Sequence, residues 1–486
     1  MPPALACLLA VVLATTGCRG EETASRDVPV RITVALPSAD VPVTPLLVLL
    51  TQTRLISVDQ TGIEQPALIE RWTRSADQRT WTLHVRDGVR LHDGRVVTAA
   101  DVVTRVRQAV EAPTTPGLWP VTSVEEAGPR EVRVHLREPT SLLLESLSVA
   151  QAVPAGAYRA KEEAATEPEL MAVQQPGQGP TGVDSIQVRR YETPRAAVAA
   201  LLREDVDVLY EVPSEARGLL AKEEGVRLFP NVKPYVITLG FNHRHPILRR
   251  RDVRLAMNIA VDRQVLVAQV AGGVGIPAAD MLWHQHWSHP HADDKRAFPV
   301  DRERARTLLD KSGLPRRRTR AGVLEPRFRV SCLVVDDPMM KRVAGRLQKA
   351  YADIGISLDL EPIALDALGT RLSSGQFDAF VSPVVSGYGM GMPYAAFGNH
   401  DHPRMIDHGY TAAAPAAERI RAAATREAFI EAVHALHKTL IDDPPAVYLF
   451  WSEASRAVSR RVTIPGNPSG DVLASLPRWT VRGRTQ

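Results

Sequence analysis

The chain has 486 residues, of which 44% are hydrophobic and 23% are charged. These fractions lie in the globular range and exclude a largely disordered, collagenous or coiled-coil protein. The 59 basic and 55 acidic side chains leave a net charge of only +4, so charge alone gives no reason to expect a nucleic-acid partner. Three cysteines exclude a disulfide scaffold. At ~150 residues per domain, we expect about three domains or one multi-lobed body.

Residues 1–17 have the pattern of a secretory signal peptide. Residues 4–14 are apolar and uncharged, a length that suits a signal core and is too short for a membrane span of ~20 residues. The next four residues, Thr-Thr-Gly-Cys18, resemble the lipobox of bacterial lipoproteins, which predicts cleavage before Cys18 and acylation of its thiol. Residues 18–29 are mostly polar and predict a tether, so that lipid alone would hold the body at a membrane.

The first half of the mature chain predicts strands followed by a loop-rich region. Residues 31–36 alternate and predict a first strand. Residues 81–94 alternate between apolar and polar positions and contain two Asp-Gly pairs, which predicts a β-meander with tight turns. Valines at helical spacing up to residue 110 predict a helix that begins at the capping-box-like segment 98–101. Residues 113–180 contain several prolines and glycines and predict a small, loop-rich lobe.

The second half predicts an α/β lobe. Residues 328–335 form an apolar run, residues 338–355 have helical spacing, and residues 356–360 predict another strand. The crossover of such a βαβ unit is right-handed and makes its two strands parallel. An Ala-rich helix over residues 416–441 and a strand over residues 446–451 follow.

We find none of the G-x-S-x-G, P-loop, H-E-x-x-H or C-x-x-C motifs, and we therefore expect neither an enzyme nor a cofactor. Histidines cluster at residues 284–291 and 399–408, and imidazoles at such spacing ligate zinc, nickel or copper in other sites. No carboxylate or cysteine set with fixed spacing completes either cluster. We therefore predict exposed polar loops here and expect no bound metal.

Residues 387–394 carry glycine at alternate positions, with tyrosine and methionine between and after them. The spacing is wrong for a dinucleotide-binding loop. Tyrosine, methionine and glycine together suit an adaptable apolar surface for a variable ligand, and a structural turn is the alternative.

The order of these elements resembles the family 5 extracellular solute-binding proteins, the dipeptide- and oligopeptide-binding components of bacterial ABC importers. The resemblance covers about residues 30–465. The segments that carry it are Glu64–Trp72, Trp81–Gly94, Val97–Val103, Leu239–Asn242, Asp252–Arg263, Asp301–Leu309 and Leu347–Ile356.

The resemblance implies an α/β, two-lobed periplasmic-binding-protein-like (type II) fold with a small extra lobe inserted in the first lobe. The expected first lobe contains residues 30–45, 180–238 and 456–486. The expected insert is residues 46–179, and the expected second lobe is residues 239–455. Most of the matching residues would then serve as turns, caps and core.

Three features depart from the family pattern. The hairpin that usually follows a segment like residues 177–180 is absent, so the first lobe is trimmed. Residues 386–393 lack the aspartate with which peptide-binding members hold an amino terminus. His243-Arg-His245 would place basic groups near the cleft mouth, which leaves anionic ligands open.

The resemblance implies a monomeric lipoprotein on the periplasmic or extracellular face of the cell envelope. It would capture a short peptide or peptide-like solute in an inter-lobe cleft, deliver it to an ABC transporter permease, and bind no nucleic acid. The alternatives are a nickel-type metal-chelate receptor, using His400, His402 or the histidines of residues 284–291, and a non-transport sensor or accessory lipoprotein. The predicted ligand-binding residues are Asn242, Trp283, Ser382, Tyr388, Met390, Tyr394 and Trp451.

Overall fold

The structure is a computed structural model. It describes residues 29–39, 41–110, 112, 115–150, 152–162, 165–175, 181–290, 298–466 and 470–481. The predicted signal peptide, Cys18, residues 177–180 and His291 lie outside the described residues. No helix in the described ranges is both long and apolar enough to cross a membrane.

The described residues form a mixed α/β protein. Its strands are β1 (Arg31–Leu36), β2 (Ile56–Val58), β3 (Glu64–Pro66), β4 (Ile69–Arg74), β5 (Thr80–Val85), β6 (Val121–Gly128), β7 (Glu131–Leu136), β8 (Tyr158–Ala160), β9 (Glu169–Ala172), β10 (Ser185–Arg190), β11 (Val208–Leu209), β12 (Val226–Phe229), β13 (Val232–Phe241), β14 (Ile276–Pro277), β15 (Phe328–Val335), β16 (Ile356–Ile363), β17 (Ala379–Val385), β18 (Ala446–Glu453), β19 (Arg456–Ser459), β20 (Val462–Thr463) and β21 (Thr480–Val481). Its α-helices are α1 (Thr44–Thr51), α2 (Ala99–Val110), α3 (Leu143–Val149), α4 (Pro194–Leu202), α5 (Ser214–Leu220), α6 (Arg251–Ile259), α7 (Arg263–Val270), α8 (Arg302–Lys311), α9 (Pro338–Asp353), α10 (Leu365–Ser373), α11 (Gly391–Phe397), α12 (Ala414–Arg421) and α13 (Arg426–Asp442).

The first large lobe is built on a seven-stranded sheet in the order β12-β19-β11-β1-β10-β9-β8. β1 pairs parallel with β10 and β11, and its side chains are buried on both faces from residue 32 onward. α1 packs on one face of this sheet and α4 on the other. β19 returns from the far end of the chain to pair with β11 and β12, so the chain leaves this lobe and comes back.

The small lobe is a four-stranded antiparallel sheet in the order β4-β5-β7-β6, covered by α2. The first strand of the predicted meander is confirmed, because Trp81, Leu83 and Val85 of β5 all point into the core of this lobe. The rest of the meander is wrong, since residues 86–96 form turns with a single bridge between Arg90 and Val96, and β5 pairs with β4 and β7 instead. The predicted helix start is confirmed too. The Asp101 carboxylate accepts the backbone N–H of Thr98 at 2.8 Å, as a capping box requires.

The pairing of β8 and β9 differs from the expected insert of residues 46–179. Both strands join β10 in the sheet of the first large lobe, where Tyr158 and Leu170 are fully buried. α1 also packs in the core of that lobe. Strands of three and four residues are too short to show a readable alternation, which is why the sequence pattern did not separate them from the insert.

The second large lobe is built on a six-stranded sheet in the order β14-β18-β13-β17-β15-β16. The predicted βαβ unit is confirmed, since β15 and β16 pair in parallel with α9 between them. The single helix predicted over residues 416–441 is instead two helices, α12 and α13. The side chain of Thr425 caps α13 by accepting the N–H of Ala428, and this cap divides the Ala-rich run.

The chain crosses between the two large lobes at residues 230–231 and again at residues 454–455. The expected boundary after residue 238 is wrong, because all of β13 pairs within the sheet of the second large lobe. The small lobe packs against the second large lobe. With the two adjacent crossings, this arrangement confirms the two-lobed α/β fold predicted from the sequence.

Candidate solute-binding site

Three of the predicted ligand-binding residues meet in one aromatic cluster where the second large lobe faces the small lobe. The ring of Trp283 makes edge contacts with the rings of Tyr388 and Trp451, with centroids 5.0 and 5.1 Å apart. The indole N–H of Trp283 donates to the backbone carbonyl of Gln60 in the small lobe at 2.7 Å. Trp283 therefore ties the two lobes together, and its indole is fully buried.

Met390 and Tyr394 belong to the same buried core. Met390 lies in the glycine-rich loop (residues 387–391), directly before the first residue of α11. Tyr394 lies on α11, and the centroid of its ring is 6.2 Å from that of Trp119 in the small lobe. Burial raises the pKa of the Tyr394 hydroxyl, which stays neutral. Both residues pack at the junction between the small lobe and the second large lobe.

Asn242 and Ser382 lie elsewhere in the second large lobe. The Asn242 amide donates to the carbonyls of Gly375 and Phe377 at 3.0 and 2.7 Å, and its oxygen accepts the N–H of Arg244. These bonds use the amide to hold a turn after β13. Ser382 lines an apolar cavity of about 220 Å³ inside that lobe.

The basic segment after Asn242 brings less charge than the sequence suggested. Burial lowers the pKa of His243 to about 4, so this imidazole is neutral at neutral pH. The Arg244 guanidinium is paired with Asp407 at 2.6 Å.

Glu145, which was not among the predicted site residues, connects the small lobe to the glycine-rich loop. Glu145 lies on α3, and its two carboxylate oxygens accept the backbone N–H groups of Met390 and Gly391 at 2.9 and 2.8 Å. A Cβ atom on Gly389 would lie 2.3 Å from the Glu145 carboxyl carbon, and one on Gly391 would lie 2.8 Å from its oxygen. The alternating glycines therefore make room for a carboxylate.

The environment of Glu145 keeps this carboxyl near its titration point at neutral pH. Desolvation by burial raises its pKa to about 7 against the lowering effect of the two N–H bonds, and the charge of Glu64 adds to the rise. Burial also raises the pKa of Glu64.

A cavity of about 400 Å³ adjoins Glu145 between the small lobe and the second large lobe. The guanidinium of Arg426 lies 3.8 Å above the ring of Trp287, and that of Arg74 lies 5.4 Å from the ring of Trp81. The cavity therefore offers both signs of charge beside aromatic walls. Its charged and aromatic lining residues are Glu64, Trp72, Arg74, Trp81, Glu145, His286, Trp287, Arg426 and Phe429.

The histidine clusters are more buried than predicted. His286 and His289 are buried, so the expectation of an exposed polar loop is wrong for the described part of residues 284–291. The ring nitrogens of His400 lie 3.0 and 3.2 Å from the carbonyl oxygens of Ala395 and His402, and the rings of both histidines pack against Trp119. These packed rings form part of the contact between lobes.

Two large lobes joined by two adjacent crossings, with a ligand-sized cavity against an inserted lobe, define a solute-binding protein of the periplasmic type. Residues 64–403 match the family described as bacterial extracellular solute-binding proteins, family 5 Middle, and the chain belongs to this family.

Named relatives of this chain bind different solutes. It is 25% identical to heme-binding protein A of Haemophilus influenzae over 71% of this chain and 73% of that protein. It is 23% identical to the glutathione-binding protein GsiB of Escherichia coli over 54% of this chain, and the match spans 55% of that relative's length. The oligopeptide-binding protein AppA of Bacillus subtilis, solved with a nonapeptide, superposes with a TM-score of 0.75 at 18% identity and covers 93% of this chain and 98% of that one. That superposition supports the fold.

Proposed function

We propose that this chain is an extracytoplasmic receptor that captures a short peptide or peptide-like solute and delivers it to an ABC transporter permease. Under this proposal, Cys18 carries the lipid that anchors the mature protein. Membership of the solute-binding family supports the transport role. The observation that carries the choice of ligand is the cavity beside Glu145, where two carboxylates and two guanidiniums surround aromatic walls.

A zwitterionic ligand suits this arrangement. Its ammonium group would approach Glu145 and Glu64, its carboxylate would approach Arg74 or Arg426, and its side chains would pack on the aromatic walls. The loop that lacks the family's aspartate would thus receive its negative charge from the small lobe.

Ligand capture would proceed through closure of the lobes. The cavity walls come from two lobes, so a ligand in it makes all of its contacts only when the lobes are together. The ligand shifts the open and closed populations by its difference in affinity for the two states. Capture requires no bond to be made or broken.

Native mass spectrometry of the purified protein with a pool of di- to pentapeptides tests this function. We expect a peptide adduct that weakens when the amino terminus is acetylated or when Glu145 is replaced in Glu145→Gln. Glu303→Gln removes an exposed carboxylate far from the cavity and serves as the control. A protein that takes up no peptide, or binds acetylated and free peptides equally, contradicts the proposal.

The metal-chelate alternative would use His400, His402 or the histidines of residues 284–291. The ring nitrogens of His400 already face two carbonyl oxygens, and burial lowers its pKa. A nickel–histidine adduct lost in the variant with His400 and His402 replaced by alanine would favour that alternative. A protein that ignores both peptides and chelates would favour a sensor or accessory role.

A further inference from the structure

Three metal-ligating side chains converge inside the second large lobe, away from the cavity beside Glu145. Asp280, His289 and His437 are 2%, 5% and 3% exposed. Each offers one ligand atom, and these atoms all lie within 4.8 Å of one another. The Nδ1 atom of His437 is 2.7 Å from a carboxylate oxygen of Asp280, and the rings of the two histidines meet edge to face at 5.4 Å.

Two separate segments bring these ligands together. Asp280 and His289 lie in the loop that follows β14, and His437 lies on α13. The loop is fixed independently of the three side chains, because Ser386 donates a hydrogen bond to the carbonyl of Met281 at 2.6 Å. The other oxygen of Asp280 accepts the N–H of Leu282 at 2.7 Å, which sets the direction of the carboxylate.

The carboxyl of Asp280 is buried, and such a group needs a polar or charged partner. A carboxylate removed from water is costly unless a positive charge or a metal faces it. Among the ion pairs of the described residues, Asp280 is matched by His437 and by no lysine or arginine. A divalent cation at this point would be within reach of ligand atoms from all three side chains, and imidazole binds a metal through a neutral ring nitrogen.

We propose that Asp280, His289 and His437 bind a buried zinc ion, with a water molecule in the fourth position. Two imidazole nitrogens and one carboxylate oxygen form a common zinc donor set, with bonds of about 2.0–2.2 Å. Tetrahedral bonds of that length place the ligand atoms about 3.3 Å apart, so side-chain movements of at most about 1.5 Å would complete the site. The same donor set also accepts cobalt and nickel, which makes those ions useful probes.

The consequence of this site is a clamp behind the solute cavity. The loop carries Trp287 and the helix carries Phe429, two stacked rings of the cavity wall 5.3 Å apart. A metal that joins the loop to α13 would fix the positions of the Trp287 and Phe429 rings relative to each other. Because its ligands are almost inaccessible, the ion is a fixed part of the fold and a different site from one for transported metal. The presence of zinc at this site can therefore be tested independently of the ligand proposed for the cavity.

Metal analysis of the full chain, purified without a histidine tag and equilibrated with zinc, tests the site. We expect about one zinc per chain, and a tetrahedral visible spectrum when cobalt replaces it. Asp280→Asn and His289→Gln should each weaken metal binding by more than the ~10–100-fold typical of second-shell changes. The matched control is His434→Ala, which removes an exposed imidazole from the same helix and should keep the metal.

Circular dichroism establishes that each variant is folded, and His289→Gln decides the matter if Asp280→Asn does not fold. Loss of the metal in either folded ligand variant, with retention in His434→Ala, supports the site. A native chain that takes up no zinc overturns it and identifies the cluster as a metal-free Asp–His pair. Equal zinc in the native chain and both ligand variants also overturns it, since the ion is then held elsewhere.

Discussion

The replacement Glu145→Gln tests whether a buried carboxyl in the small lobe makes the junction sensitive to pH. The native carboxyl has its pKa raised from the usual 4.5 to about 7 by burial. A raised pKa means that the folded protein favours the protonated, neutral carboxyl more than the unfolded chain does. Its contribution to stability is therefore fully present below pH 4.5 and is lost as the pH rises through 7.

The size of this effect follows from the shift. A rise of about 2.5 units corresponds to about 3 kcal/mol at 1.36 kcal/mol per unit. Two buried histidines act in the opposite direction, because burial lowers the pKa of His243 to about 4 and that of His408 to about 3. They stabilise the fold as the pH rises toward 6.5. The native and variant proteins share both histidines, so the difference between the two proteins isolates Glu145.

Urea unfolding at intervals from pH 5 to pH 8, followed by tryptophan fluorescence, measures that difference. We expect the stability of the native protein to fall relative to that of Glu145→Gln by about 2.5 kcal/mol across this range, because part of the effect is already lost at pH 5. The exposed control Glu303→Gln should show a constant difference from the native protein. A constant difference for Glu145→Gln would refute the reasoning, and an opposite slope would show that the two N–H groups hold the carboxylate more strongly than burial disfavours it.

Three further predictions concern neighbouring contacts. Gly389→Ala places a methyl group against the carboxyl of Glu145 and should cost about 3 kcal/mol in urea unfolding, whereas Gly345→Ala, in open space on α9, should be neutral or stabilising. If the clash with Glu145 is the cause, most of the Gly389→Ala cost should disappear in a Glu145→Ala background, and a cost that persists would contradict this. Trp283→Phe keeps a ring in the cluster but loses the bond to Gln60 and leaves part of a fully buried volume empty. Unfolding should become easier by more than the about 1 kcal/mol expected for the bond, and no change would show that neither the bond nor the packing contributes. Asn242→Ala leaves two buried carbonyls without their donor and should cost about 1–3 kcal/mol with peptide affinity unchanged in titration calorimetry, so a large loss of affinity would return this residue to the binding site.

Regular elements could be predicted from the sequence where one periodicity runs without interruption. β5 alternates over six residues, and the βαβ unit of β15, α9 and β16 has long, uniform segments. Short or interrupted elements were lost, as in β8 and β9 and in the division of α12 from α13. Their boundaries depend on sheet pairing and on a single cap, neither of which periodicity reports.

None of the seven predicted ligand-binding residues lines the cavity beside Glu145, and three aromatic ones form a separate buried cluster. Trp283, Tyr388 and Trp451 stood out by type, and the structure brings them together. Glu145 was missed, although a lone acid in the apolar run Leu142-Leu-Leu-Glu-Ser-Leu is itself a signal. An acid on the buried face of a helix needs hydrogen-bond donors, and here they come from a loop about 245 residues further along the chain.

The position of Glu145 gives the proposed receptor a different order of events from one whose acid lies in the glycine-rich loop. Under the proposed closure, an acid in the loop would be present at the ligand before the lobes meet, whereas Glu145 belongs to the small lobe and would reach the loop only on closure. Each of its oxygens receives one backbone N–H and keeps a second lone pair for a ligand ammonium. That ammonium would favour the ionised carboxyl and offset the desolvation that raises its pKa. Under the proposal, the ligand therefore stabilises the closed state most at the pH where the empty junction is least stable.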